Sequence, residues 1–451
     1  MTLREENAKL RQENRELKTE VEKLRSRLAE MEAILATLQK KEKSAPSFVK
    51  AKKPKRKKKK RRKKRAAQHN NSRRRETPTR IETHRLEACP TCGSGLTKHK
   101  ESYRRQIIDM PEPQPVEIVE HRLEQGWCDR CRSWHVPERQ WPEAVGQGRI
   151  GVRLTGMVGY MRSILRLPFR QIQAFLQSVH RARLSVGELV NLSRKVEQKL
   201  DDEVRGIHQE ARGSPYLHMD ETGWREDGQN GYIWCQVTDN PRPIRYYEYH
   251  QSRAGKIVES MIGDGFAGVL VSDFYSAYNT YSGQHQRCWV HLLRDLSQLR
   301  EEHPADAAVV AWCVGVKNLY HQAQETAGAV QSDTARKASV ARLAEMARQF
   351  GLMYAQSNHP CRALAKRLLR HKDELFQFVR YPGLSANNNL AERALRSLVV
   401  QRKVSGGSRS QQGSQTSMRL ASLFQTWLAR GLNPLHECWR LLGCHPTWAI
   451  S

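Results

Sequence analysis

The sequence has no uninterrupted apolar run of about 18 residues, the length a bilayer-spanning helix needs, and it begins with a charged helical pattern in place of a signal peptide's apolar block. Neither a membrane span nor a secretory route is expected. Acidic residues are scarce: 47 Asp and Glu stand against 77 Lys and Arg, for a formal charge of +30. Such an imbalance calls for a polyanionic partner, and nucleic acid is the expected one. Cysteines are few, four of the ten in two close pairs and six scattered. That spread argues against a disulfide scaffold and for one metal site plus free thiols in a reducing cytoplasm. A chain of 451 residues has room for about two to four folded units.

Leu3, Leu10, Leu17, Leu24, Met31 and Leu38 recur at every seventh position, and Asn7, Asn14, Val21, Leu28 and Leu35 fill the second seam of the same heptads. Pairs of opposite charge, such as Glu6 with Arg11 and Glu20 with Arg25, sit at the spacing that joins parallel helices. The expectation is a coiled coil (leucine zipper) over 1–42 that makes a homodimer or higher assembly, Asn7 and Asn14 selecting the in-register pair. A lone amphipathic helix docked on its own chain is the alternative. From Lys50 to Arg65, fourteen of sixteen residues are Lys or Arg. Self-repulsion and the lack of apolar side chains predict a disordered basic linker over 43–80, which either neutralises phosphates without reading sequence or acts as a spacer.

Cys89-Pro-Thr-Cys92 and Cys128-Asp-Arg-Cys131 offer four thiolates, Cys89, Cys92, Cys128 and Cys131, to a tetrahedral Zn²⁺ in a small zinc-ribbon-like domain over 81–140. The stretch Ile107 to Leu123 has room for a short hairpin, and His99 or His135 is able to replace one ligand. Four protein ligands leave no open position, so the role is structural. From 141 to 205 the pattern is helical: Phe169 to Leu176, a break at Ser178 to Arg183, then Ser185 with Glu188 as a capping box. This region is either a DNA-binding helix-turn-helix or an ordinary connector.

Tyr216-Leu-His-Met-Asp220 reads as a strand that ends on a carboxylate and a turn. Strands follow at Tyr232 to Thr238 and Ile244 to Tyr249, then a helix from Ala254 to Ile262, then Gly268-Val-Leu-Val-Ser-Asp273, a short apolar strand that again ends on aspartate. The first three strands pair as an antiparallel meander, and a right-handed crossover sets the fourth beside the first. Asp220 and Asp273 then meet at one sheet edge, where two carboxylates suit a hard cation such as Mg²⁺. Glu392 is the candidate for a third, on a helix that begins after Asn387-Asn388-Asn389.

Asp220-Glu-Thr-Gly-Trp, Asp273-Phe-Tyr-Ser-Ala-Tyr278, Cys288-Trp-Val-His291-Leu-Leu-Arg294 and Asn388-Asn-Leu-Ala-Glu392-Arg together resemble the DDE transposases of the insertion-sequence-66 family. The order of parts matches over nearly the whole chain. Asn387 departs from the pattern, since the family often has aspartate there. The resemblance implies a multidomain α+β protein with an RNase H-like catalytic core over 206–403, interrupted by a helical insertion at about 300–380. It implies that Asp220, Asp273 and Glu392 hold Mg²⁺ or Mn²⁺ for metal-dependent cleavage and strand transfer of DNA, one ion activating the attacking water and the other stabilising the leaving 3′ oxygen. Arg393, Arg396, Arg402 and Lys403 would hold phosphates of the transposon ends and target. Accessory proteins of the same element, and a prokaryotic cytoplasm with nucleoid association, are also implied.

Cys288 and His291 are two ligands at most, so packing and DNA contact is their expected role. A Gly-, Ser- and Gln-rich loop from Gly406 to Gln415 precedes a helical end from Ser417 to Leu442, so 404–451 is expected as a C-terminal helical segment with Trp427 and Trp439 in a core. Two rivals carry different predictions. A non-catalytic zinc- and zipper-containing DNA-binding regulator binds without cutting and is indifferent to acid-to-amide changes. A metal-dependent nuclease uses the same acids but joins nothing.

Overall fold

Between Tyr216 and His250 stretches rich in aromatic and β-branched residues are divided by turn residues, and there the chain forms the sheet that organises the rest. The computed structural model describes residues 76–444, apart from 139–140, 142–143, 146–147, 240 and 330–331, together with Glu22 before them. The expected coiled coil over 1–42, save for Glu22, and the basic run from Lys50 to Arg65 lie outside the described residues. Two compact units divide at Met110 and Pro111.

In the first unit, residues 76–110 carry no helix or strand and include a tight turn at Cys89 and Cys92, where Gly93, at φ +75°, donates its N–H to Cys89 O at 2.8 Å and Ala88 bridges Gly95. A positive φ is cheap only for glycine, which explains why the turn carries one.

In the second unit a small antiparallel hairpin, β1 (Gly126–Cys128) with β2 (Ser133–His135), frames Cys128 and Cys131. Sequence reading expected the hairpin at Ile107 to Leu123, and that stretch has no strand. Pro111, Pro113 and Pro115 remove the N–H groups a ladder needs.

The main sheet has the order β5-β4-β3-β6-β7. β3 (Tyr216–Glu226), β4 (Gln229–Thr238) and β5 (Ile244–His250) form an antiparallel meander, and β6 (Val269–Ser272) and β7 (His285–Arg287) run parallel beside β3. The helix Gly255–Ile262 makes the crossover. This is the expected meander and crossover, with two corrections. β3 does not end at Asp220. It continues to Glu226, because Thr222 and Trp224 extend the strand pattern and the tight turn is Asp227-Gly228, with both residues at positive φ. β7 was not anticipated, because three residues are too few for a periodic signal.

Layers cover both faces. Leu217, Met219, Trp234, Tyr246 and Leu270 pack with Val204 and Ile207 of the helix Asp201–Arg212, Val258 and Met261 of the crossover helix, and Leu423, Phe424 and Trp427 of the helix Gln411–Ala429. Trp224, Ile233, Cys235 and Tyr247 face the helix Asn389–Ser405 through Ala391, Leu395 and Leu398. The helix Gln411–Ala429 begins inside the stretch expected to be a loop, since Ser410 Oγ accepts the N–H of Gly413 as an N-cap. It also closes the sheet's edge: Ser422 Oγ and Thr426 Oγ1 accept the outward N–H groups of Tyr247 (2.9 Å) and Arg245 (3.0 Å) on β5. Those donors would otherwise form a bare strand edge.

Helices Trp289–Glu302, Ala307–Gly328, Asp333–Tyr354, Arg362–His371 and Gln377–Arg380 lie between β7 and the helix Asn389–Ser405, in the region where a helical segment at about 300–380 is expected. Trp289, Trp312, Leu343 and Phe376 build its core, and Val269 and Val271 join it to the sheet. Upstream, helices Val152–Ser163, Phe169–His180 and Val186–Lys199 share a core of Val158, Met161, Ile172, Leu176, Leu189 and Leu192. The break between the last two begins later than expected, at Arg181 in the left-handed region, and Ser185 Oγ caps the following helix by accepting from Glu188 N at 3.1 Å.

Candidate active site

Asp220 and Asp273 come together through strand register. β3 and β6 run parallel with Tyr216 opposite Val269, Leu217 opposite Leu270 and His218 opposite Val271. Asp220 follows His218 by two residues and Asp273 follows Val271 by two, so the parallel pairing delivers both acids to the same end of these neighbouring strands. Side chains alternate along a strand, so Asp220 shares the face of Trp224, opposite that of Leu217 and Met219. Its partner on β4 is Cys235, which packs with Ala391 and Leu395 of the helix Asn389–Ser405. Glu392 stands in the first turn of that helix. The third acid therefore arrives from the layer that covers the two aspartates.

These groups repel one another. Burial, followed by the charges of Glu221, Asp273 and Glu392, pushes the Asp220 pKa up to about 8. The N–H of Glu221, donated to Asp220 Oδ1 at 3.0 Å, only partly offsets this. Asp273 Oδ1 accepts the N–H of Tyr275 at 2.8 Å. Glu392 Oε1 is buried and has no hydrogen-bond partner among the described residues. The Nε2 of His291 stands 3.8 Å from it, too far for a hydrogen bond. A carboxyl burdened by like charges and a second with an orphaned oxygen fit a hard divalent cation such as Mg²⁺ or Mn²⁺.

The adjacent acid Glu221 is already committed. Tyr278 donates its hydroxyl to Glu221 Oε2 at 2.5 Å, and Arg253 Nε donates to Oε1 at 2.9 Å. Burial still leaves its pKa above the usual carboxylate range, Tyr278 and Arg253 working against that rise. Of the two neighbouring acids, Asp220 is the one left open to a ligand. Tyr278 thus gains a role that sequence reading missed. The signal was its place five residues after Asp273, at the end of the same motif.

Behind Asp273 lies Arg287, only 1% exposed. It donates to Asp273 O at 2.9 Å, to Asn279 Oδ1 at 2.6 Å and to Glu374 Oε2 at 2.5 Å. Burial disfavours the Glu374 charge, but His371 and Arg287 overcome it and take its pKa down to about 2. A guanidinium with this many partners fixes the backbone of Asp273, and through Glu374 it ties the helical insertion to that segment. Nothing in the sequence pattern marked Arg287 or Glu374. Cys288 is buried in packing, its thiol pKa raised by burial, and it caps no metal cluster among the described residues.

The expected phosphate contacts divide. Arg393, Arg396 and Lys403 are exposed on the helix that carries Glu392, whereas Arg402 is half-buried with its guanidinium on Gly223 O. Arg402 is a strut between helix and sheet here. Asn387 Oδ1 accepts the N–H of Asn389 at 3.0 Å, which a carboxylate oxygen would do equally well, so the departure at this position keeps its local hydrogen bond.

Each cysteine pair forms a thiol turn within its own unit. In the first unit, hydrogen bonds from the backbone and hydroxyl of Ser94 favour the Cys92 thiolate and lower its pKa. In the second unit, the N–H of Cys131 reaches Cys128 Sγ at 3.4 Å and lowers the Cys128 pKa. Ligand atoms of Cys128, Cys131 and His135 all lie within 4.8 Å of one another. Thiolate-stabilising turns of this kind suit Zn²⁺.

Residues 147–416 match the family described as "Transposase IS66 family", and residues 87–132 match the "zinc-finger binding domain of transposase IS66". Two curated proteins of Sinorhizobium fredii are also similar. "Uncharacterized protein y4jO" is 30% identical over 175 residues, 39% of this chain and 52% of that protein. "Uncharacterized protein y4qI" is 26% identical over 228 residues, 45% of this chain and 42% of that protein. The chain spans about half the length of these relatives. No helix among the described residues is long and apolar enough to cross a membrane.

Proposed function

Because this chain belongs to the IS66 transposase family, a family of DNA-processing proteins, we propose that it cuts DNA at the ends of an insertion sequence and joins the freed 3′ ends to a target. The observation that carries this reading is the meeting of Asp220 and Asp273 on the sheet face that the Glu392 helix covers, with the Asp220 pKa pushed up to about 8 by burial and its acidic neighbours. A meander of three antiparallel strands followed by parallel neighbours, with acids at the centre, supports an RNase H-like core.

In this reading Asp220, Asp273 and Glu392 hold two Mg²⁺ or Mn²⁺ ions. When bound, such ions acidify the attacking water and stabilise the departing 3′ oxygen. The protein's own part is positional. Arg287 fixes the Asp273 backbone, and Tyr278 with Arg253 occupies the carboxylate oxygens of Glu221, so that it does not compete for the cation. Exposed Arg393, Arg396 and Lys403 hold DNA phosphates along the Glu392 helix. One phosphodiester replaces another, so no external energy source enters. The zinc-finger match takes in both cysteine pairs, which supports a structural Zn²⁺ on Cys89, Cys92, Cys128 and Cys131. The heptads of 1–42 support a homodimer able to hold two DNA ends.

The test is a reaction of the full chain with Mg²⁺ and DNA bearing the ends of its own element. Molecules in which a 3′ end of the element is joined to target DNA are expected. Nicked DNA without joined product would leave a nuclease, and tight binding with intact DNA would leave the regulator.

A further inference from the structure

One residue of the asparagine run before the Glu392 helix, Asn388, bonds through its side chain and its backbone to segments next to all three acids. Asn388 is 1% exposed and immediately precedes the Glu392 helix, yet its side chain does not cap that helix. It reaches into the sheet instead. Its Nδ2 donates to Met219 O at 2.8 Å, one residue before Asp220. A carbonyl only accepts, which fixes the orientation of the amide: Oδ1 must face His218 Nδ1, 3.1 Å away, and that nitrogen must carry the proton.

The backbone of Asn388 completes the set. Its N–H points to Cys288 Sγ at 3.2 Å, and the N–H of Cys288 in turn donates to Ser272 O at 2.9 Å, one residue before Asp273. Its carbonyl accepts the N–H of Glu392 at 3.3 Å. One buried asparagine therefore bonds to the residue before Asp220, to the residue whose N–H holds the residue before Asp273, and to Glu392 itself. Few other geometries let a single residue set the mutual distances of three segments so far apart in sequence.

We propose that Asn388 is a positioning residue for the cation site, which locks the segments of Asp220, Asp273 and Glu392 at the spacing that divalent ions require. This rests on the reading of those three acids as cation ligands. Both amide atoms are needed, because Asn388→Asp supplies no donor for Met219 O and adds a further negative charge beside the site, and Asn388→Ala leaves His218 and Met219 O without partners. Loss of a hydrogen-bonded partner of a metal ligand costs about 10–100-fold in metal affinity, and misplacing the ligand-bearing backbone is expected to cost as much.

The experiment is titration of Mn²⁺ into the full chain by calorimetry and electron paramagnetic resonance, with thermal unfolding as control. The parent, Asn388→Ala, Asn388→Asp, His218→Gln, Asp220→Asn and Glu392→Gln are compared. Asn388→Ala and Asn388→Asp are expected to weaken Mn²⁺ binding about 10–100-fold, and His218→Gln, which leaves the Met219 bond intact, by less. The Mg²⁺ concentration that half-activates strand transfer should rise in the same order, with high Mn²⁺ recovering part of the rate. A lower melting temperature with parental Mn²⁺ affinity in both Asn388 variants, while Asp220→Asn and Glu392→Gln lose the ion, would make Asn388 a mere fold strut and overturn the proposal. Parental affinity in Asp220→Asn and Glu392→Gln as well would overturn the cation-site reading, and the proposal with it.

Discussion

Asp273→Asn and Glu392→Gln are each expected to lower strand transfer about a thousandfold or more while leaving the fold and DNA binding in place. The magnitude follows from the chemistry. A ligand that brings in a cation acts mainly in the transition state, where several kcal/mol of charge stabilisation is at stake, and about 4 kcal/mol is a thousandfold in rate. Amides are near in size to the carboxylates they replace, and Asp273 Oδ1 keeps an equivalent oxygen for Tyr275 N–H. DNA affinity should stay level or rise, because the proposed phosphate contacts at exposed Arg393, Arg396 and Lys403 are untouched and one negative charge has been taken away. Quantified joined product and gel-shift affinity check the two halves. Strand transfer at the parental rate in either variant would show that the three acids do not carry the reaction.

Asp220→Asn should make the metal-free protein more stable, and the gain should grow with pH. The Asp220 pKa lies at about 8 in the folded chain against an ordinary value of 3.8. An acid whose folded pKa is raised binds more protons folded than unfolded throughout that interval. Its contribution is fully present below about pH 4 and declines by about 1.4 kcal/mol for each unit until it is lost near pH 8. Relaxation and water entry reduce the total to a few kcal/mol. Asparagine has no charge to bury, so thermal unfolding without divalent ions should show a variant several degrees more stable than the parent at pH 8 and nearly equal to it at pH 4 to 5. Saturating Mn²⁺ should shrink the difference by stabilising the parent alone. An increment that does not change with pH would mean that Asp220 is not the strained group inferred here.

What the sequence made legible was the part governed by local periodicity. The strand-like runs at Tyr232 to Thr238 and before Asp273 predict strands, a meander and a crossover, and these suffice to bring the segments of two aspartates side by side. The extent of β3 was misjudged because an acid was taken as the strand's end, although Asp227-Gly228 carried the stronger turn signal. The hairpin of the cysteine region was sought in a stretch whose prolines cannot complete a ladder. What no pattern reveals is the set of bonds made across long separations. Ser422 and Thr426 look like ordinary polar residues of a helix, yet they close the edge of β5. Arg287 reads as one more base in a basic chain, yet it is buried against Asp273 and Glu374. Asn388 stands within a run of three asparagines, and only the third dimension separates its role from those of Asn387 and Asn389.

Crystals of the full chain equilibrated with Mn²⁺ and measured at a wavelength where manganese scatters anomalously provide the most direct test. Two anomalous peaks are predicted, each within about 2.0–2.3 Å of carboxylate oxygens drawn from Asp220, Asp273 and Glu392, the range expected for hard divalent ions. Saturating Mn²⁺ that leaves those three carboxylates bare, or that collects only at other acids, would contradict the assignment of this site.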